Sequence, residues 1–189
     1  MNIPYSVQRR PDTGVSNVIM GVWLFLASEV MLFGAFFSAY ALLRFSAPEW
    51  PDALSLLDFN YAAVNTLVLV VMTIVSWQAR RAPIASARRL LLVGTALALT
   101  FLAIKTAEYS GEIGRGMVPS VNTFLATYFT LTGLHALHVA GGMVANLWTL
   151  AGAGKVPQAM TRGRMHALAL YWAFVDLVWL LILVFVYVV

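Results

Sequence analysis

Apolar residues in this chain do not alternate with polar ones; they run in blocks. Val18–Leu43, Phe59–Trp77, Leu90–Tyr109, Thr123–Leu150 and His166–Val189 are almost continuously hydrophobic, and most charged residues lie in the tail 1–17 and in the segments between blocks. A helix needs about 20 mostly apolar residues to cross a bilayer. The pattern therefore predicts an all-α integral membrane protein: a polar tail over 1–17, then one domain, 18–189, of five transmembrane helices. Pro48, Pro51, Pro83, Pro119 and Pro157 all fall between the blocks, where backbone released from a helix can be solvated. The first block is longer than a signal-peptide core of about 7–15 residues and has no small-residue cleavage site after it, so it is expected to be retained.

Composition sharpens the class. Of the residues 61% are hydrophobic and only 11% charged, with a mean hydropathy of +0.81, whereas soluble domains are about a quarter charged. The absence of cysteine removes disulfides, thiolate nucleophiles and Cys-ligated zinc or iron–sulfur centres. The net charge of +4 is spread between the apolar blocks and forms no patch, so no nucleic-acid partner is implied. No phosphate-binding loop, nucleophile elbow or H-E-x-x-H is present.

Charge also gives sidedness. The tail carries Arg9 and Arg10, the second connector Arg80, Arg81, Arg88 and Arg89, and the fourth Lys155, Arg162 and Arg164. The first connector is acidic (Glu49, Asp52, Asp58), and the third balances Glu112 against Arg115. By the positive-inside rule the N-terminus is cytoplasmic and the C-terminus outside.

The candidate chemistry lies in polar residues inside the blocks. Glu29 falls roughly 16 Å into a hydrocarbon core of ~30 Å, where a charge is costly and a carboxylate marks a functional-site hypothesis. Its helix face carries Val22, Leu26, Phe33, Phe36 and Tyr40, so desolvation is expected to keep it protonated unless a cation or hydrogen-bond donor faces it. The opposite face, Ala27, Gly34, Ser38 and Ala41, suits close helix contact. Two readings stand for Glu29: proton handling, which we favour, or a protonated hydrogen-bonding link between helices. Asp176 lies at similar depth in the last block and is read likewise as proton-handling or buried polar. His135 and His138 share a helix face with Tyr128 and Gly142. They are read as interhelical hydrogen-bonding groups rather than metal ligands, since a site needs at least three ligands; haem ligation is weaker still, because His166 is placed at the interface. Lys105 and Glu108 are placed near the outer interface as an i, i+3 pair able to snorkel, contributing a few tenths of a kcal/mol. No metal ligand set is expected.

Five stretches, in order, resemble one family. "GVWLFLASEVMLFGAFFSAY", "NTLVLVVMTIVSWQARR", "AEYSGEI", "NTFLATYFTLTGLHALHV" and "YWAFVDLVWLLILVFVYVV" are similar to the Ser-Glu, Asn-Thr, Glu-Tyr, Thr-Gly-x-His-x-x-His-Val and Tyr-Trp-x-Phe-Val-Asp-x-Val-Trp segments of subunit III of the haem–copper oxidases, cytochrome c oxidase type. The chain lacks the two extra N-terminal helices of seven-helix members, so the resemblance is to the five-helix bacterial form, in the bacterial inner (plasma) membrane. Ala173 stands where the family usually has His, and Lys105 where it often has Gln.

That resemblance implies an accessory subunit with no redox centre and no catalytic residue of its own. Haem and copper belong to partner subunits. The implied partners are catalytic subunit I, subunit II and structural phospholipid, with cytochrome c donating electrons to a complex that reduces oxygen to water and translocates protons. Beyond Glu29 and Asp176 it directs attention to His135, His138, Glu108, Tyr109, Trp172 and Trp179 as polar interhelical or lipid-contact residues. A Ser-Asp version of the first motif would suggest quinol oxidases, so Ser28-Glu29 tilts toward the cytochrome c type. Alternatives are the subunit-III-like protein of a nitric oxide reductase or quinol oxidase complex, and a small proton-coupled transporter. Against the transporter stand the absence of visible repeats and of prolines inside the blocks.

Overall fold

A computed structural model describes residues 5–188. Residues 1–4 of the tail, and Val189 at the end of the last block, lie outside the described residues. Five long helices carry the fold: α1 (Asn17–Ser46), α3 (Phe59–Arg81), α4 (Ile84–Gly114), α5 (Thr123–Gly152) and α6 (Gln158–Ile182), with a single short turn of helix, α2 (Ala53–Leu56), between the first two. The chain continues beyond α6 as a π-helix, Leu183–Val188.

Each start has a local cause. Ser16, Asp58 and Asn122 accept hydrogen bonds from the backbone N–H of Ile19, Asn60 and Leu125, capping α1, α3 and α5. Pro83 and Pro157 immediately precede α4 and α6, where a missing N–H costs nothing. Arg162 donates to the carbonyls of Arg80 and Ala82 at 3.4 and 3.2 Å, placing a cation at the negative end of α3.

The helices overrun the expected spans. The Arg80–Arg89 connector shrinks to Ala82-Pro83, with Arg88 and Arg89 inside α4, while Arg162, Arg164 and His166 lie inside α6 rather than before it. Hydropathy sees where apolar character stops, but a helix continues past the interface while its backbone bonds stay satisfied. Helix α4 also passes Tyr109 and ends at Gly114, so Glu112 is a helix residue and not a connector charge.

Helices α3, α4, α5 and α6 close a ring in which each packs on two others: α3 on α4 and α6, and α5 on α4 and α6. Its interior is filled by Leu69, Met72, Phe101, Tyr128, Leu131, Trp172 and Trp179. Helix α1 lies outside the ring against α6 and α5. It buries a single seam, Leu26, Phe33 and Tyr40, spaced seven apart so that they stay on one side. Trp23, Leu24, Val30 and Met31 are exposed, as are the small residues Ala27, Gly34 and Ser38, and nothing lies within 4 Å of where a Gly34 Cβ would stand. The close contact expected of that small-residue face is not made within the chain.

Four of the long helices are long and apolar enough to cross a membrane: Asn17–Ser46, Phe59–Arg81, Ile84–Gly114 and Gln158–Tyr187. Helix α5 spans 30 residues but carries His135, His138, Asn146 and several threonines, which lower its mean hydropathy. Four of its polar side chains turn inward: Thr132, His135, Asn146 and Thr149 are all buried. Other hydroxyls, on α3, α4 and α5 alike, fold back onto their own helix; Thr66, Thr95, Thr106 and Thr130 donate to carbonyls four residues earlier at 2.7–2.9 Å. A polar side chain satisfied within its own helix asks nothing of lipid.

Candidate functional site

Two polar constellations sit in the bundle. The first joins α1 to α5. Glu29 Oε2 is 2.9 Å from His138 Nε2, a ring nitrogen that can be the donor or cation facing the carboxyl: the apolar face of α1 meets one polar partner. His138 Nδ1 lies 2.8 Å from the carbonyl of Leu134. A carbonyl only accepts, so Nδ1 carries a proton and Nε2 is left to share one with the carboxyl. The pair is then either carboxyl and neutral imidazole or carboxylate and imidazolium, two states differing by one proton moved across 2.9 Å. Phe33 packs on the imidazole with ring centroids 5.0 Å apart, and the Tyr171 hydroxyl donates to the His138 carbonyl at 2.7 Å.

His135 does not join this pair. It is fully buried, neither ring nitrogen has a hydrogen-bond partner among the described residues, and the ring lies against Phe101 and Trp179, centroids 5.6 and 5.3 Å away. The hydrogen bond expected of it is not formed. Three residues turn an α-helix about 300°, leaving the two imidazoles about 60° apart; one faces α1 and the other the ring interior.

The second constellation buries Lys105 and Glu108 inside the bundle, so the pair does not snorkel to solvent as expected. Because α4 runs on to Gly114, Lys105 is an interior residue, and the side chains of the pair are 2% and 1% exposed with Nζ 2.9 Å from Glu108 Oε2. Nζ also lies 3.1 Å from the hydroxyls of Tyr128 and Tyr187. Tyr128 reaches Glu108 Oε1 and Glu112 Oε1 at 2.8 Å each, and Tyr187 reaches Glu108 Oε1 at 2.8 Å. The rings of Tyr109, Tyr128, Trp179 and Tyr187 surround the ammonium at 4.9–5.8 Å from its nitrogen, within cation–π range. Tyr109 itself hydrogen bonds to Thr132 at 2.6 Å. Glu112, Tyr128 and Tyr187 escaped the sequence reading as partners of Lys105. The available signal was the spacing 105, 108, 112, which puts all three α4 groups on one helix face.

The remaining candidates are dispersed. Asp176 is half-buried, its Oδ1 unpartnered, with Thr73 of α3 beside it. Trp172 and Trp179 are interhelical and not lipid contacts: they are 1% and 0% exposed, donating to Asn146 Oδ1 at 3.3 Å and Thr66 Oγ1 at 2.9 Å. Among the described residues no three His, Asp or Glu side chains gather as a metal site would require.

Between α1 and the α5–α6 face a cleft of about 610 Å³ is lined by Val22, Phe25, Ala145, Trp148 and Arg164. The Arg164 guanidinium lies 3.7 Å above the Trp148 ring. An apolar groove with a cation at one end can take an acyl chain and a phosphate.

A family model described as cytochrome c oxidase subunit III matches residues 12–189. Subunit 3 of the cytochrome bo(3) ubiquinol oxidase of Pseudomonas aeruginosa is 32% identical over 187 residues, covering 93% of this chain and 86% of that protein. Subunit 3 of the cytochrome c oxidase of Synechocystis is 30% identical over 177 residues, 89% of this chain and 74% of the relative. In Aeropyrum pernix a haem–copper oxidase subunit I+III is 30% identical over 176 residues, 85% of this chain but 21% of that longer protein.

Proposed function

Since the chain belongs to the cytochrome c oxidase subunit III family, we propose that it is the accessory third subunit of a proton-translocating haem–copper oxidase that passes electrons from cytochrome c to oxygen. The observation that carries this is the extent of the family match, 12–189, which takes in all five long helices. In this reading subunits I and II hold the haem and copper, and this chain packs beside them with the exposed apolar side of α1. Phospholipid occupies the cleft under Arg164, and the Glu29–His138 pair supports sustained proton uptake. The choice of cytochrome c as donor rests on Ser28-Glu29. The ubiquinol oxidase is the second reading, favoured by the Pseudomonas relative. Purifying the tagged chain with its partners in mild detergent tests both. Haem and copper should co-purify, and oxygen should be consumed with reduced cytochrome c. Consumption with ubiquinol alone selects the second reading, and a preparation without haem overturns both.

All five long helices cross the inner membrane in this proposal, with the N-terminus cytoplasmic. Cysteines placed at Ala85 and Ala53 of this cysteine-free chain are then expected to react with an impermeant thiol reagent from opposite sides, Ala85 from the cytoplasm. Labelling of both from one side would break the topology.

Glu29→Gln keeps the volume of the side chain, and its amide can donate to His138 Nε2, so assembly should survive. The variant cannot exchange a proton. Its oxygen consumption is expected to decline faster than wild type over many turnovers, by more at alkaline pH where proton supply limits. Equal decline at every pH would reduce Glu29 to a link between helices.

A further inference from the structure

Six contacts hold the Lys105 cluster together, and each needs one proton between its two heavy atoms. The ammonium supplies three: to Glu108 Oε2, to the Tyr128 oxygen and to the Tyr187 oxygen. Three contacts are left, Tyr128 to Glu108, Tyr187 to Glu108 and Tyr128 to Glu112, all at 2.8 Å. The two tyrosines have only two hydroxyl protons. All three distances sit at the ordinary O–H···O length, so none is a weakened share of a forked bond. The count is one proton short, and the only groups able to carry it are the two carboxyls.

Geometry says which. Glu108 is the end point of three donors, the ammonium on Oε2 and two hydroxyls on Oε1, the surroundings of an ionised carboxylate. Glu112 has a single contact through Oε1, and its Oε2 is buried without a partner among the described residues. A bare anionic oxygen in a buried site is expensive, whereas the carbonyl oxygen of a neutral acid is far less so. Charge agrees: one ammonium against two carboxylates leaves a buried excess of negative charge, and one more proton neutralises it.

We infer that the cluster of Lys105, Glu108, Glu112, Tyr128 and Tyr187 is a proton-binding site, holding one exchangeable proton on Glu112 with Tyr128 as the relay to Glu108. Transfer balances without any other reactant. Glu112 gives its proton to the Tyr128 oxygen, Tyr128 gives its own to Glu108, and the acid and carboxylate exchange places while the hydroxyl is regenerated. Glu112 lies two residues before the end of α4, the member of the cluster nearest in sequence to the 115–122 connector. The other titratable groups around it are Tyr109 on α4, Arg115 just past its end, and His135 on α5, whose imidazole feels the charge of the ammonium.

Infrared difference spectra of the intact complex, recorded in H2O and D2O at neutral pH, test this. Glu112→Gln keeps the contact to Tyr128 through an amide N–H and is expected to lose the absorbance of one protonated, deuterium-sensitive carboxyl relative to wild type. Lys105→Gln removes the buried ammonium and is expected to gain one, both carboxyls then being neutral. An unchanged Glu112→Gln spectrum overturns the proposal. Should that variant fail to accumulate, Lys105→Gln decides alone: two protonated Glu side chains in the cluster support the site, and one or none overturns it.

Discussion

Glu108→Leu is expected to destabilise the bundle by about 3–5 kcal/mol, the cost of leaving a buried ion without its partner. The replacement strands the Lys105 ammonium in a site with 2% side-chain exposure and takes the acceptor from both Tyr128 and Tyr187. The unfolding midpoint in detergent measures it. Adding Lys105→Met to Glu108→Leu should recover most of the loss, because an apolar pair of similar volume asks for no compensation. A single variant that unfolds with wild type would mean that Glu112 gives up its proton and takes over as counter-ion to the ammonium.

Gly142→Ala is the other large effect. A Cβ there would stand 2.6 Å from Cζ2 of Trp172 and 2.8 Å from Cε1 of Tyr171, neither of them the loose end of a flexible chain. Overpacking of this kind costs about 1–3 kcal/mol. If the indole moves to relieve it, the bond to Asn146 breaks in a buried site for a further ~1–3 kcal/mol. The expected result is a lowered unfolding temperature, with a red-shifted tryptophan emission if the ring is driven out. Normal stability with normal emission would show that α5 and α6 can part by a few tenths of an ångström at no cost.

How much of this was legible depends on what each residue touches. The seam of α1 reads directly, because Leu26, Phe33 and Tyr40 recur every seven residues and Glu29 lies on the same side. The end of α4 does not. Lys105, Glu108 and Glu112 depress hydropathy in the same way whether they meet water or one another, so a hydropathy reading stops the span at Tyr109. Only their common face hints at burial. The histidines show the converse limit: a spacing of three places them near each other, but the turn of the helix sends His138 to α1 and His135 to an aromatic pocket. Which carboxylate would meet which imidazole, 109 residues apart, is a property of packing that no local pattern carries.

The peripheral seat of α1 has a consequence for synthesis. It is the first long helix made, yet its contacts are with α5 and α6, and His138 emerges 109 residues after Glu29. At about 5–20 residues per second the first helix waits roughly 5–20 s for the partner of its carboxyl, while α3 and α4 can pair as soon as their two-residue turn is complete. During that interval the newborn helix holds an unmatched acid, and membrane quality-control proteases have their best opportunity. A ribosome stalled before α5 would hand them a degradable substrate, whereas one stalled after His138 would leave Glu29 already paired.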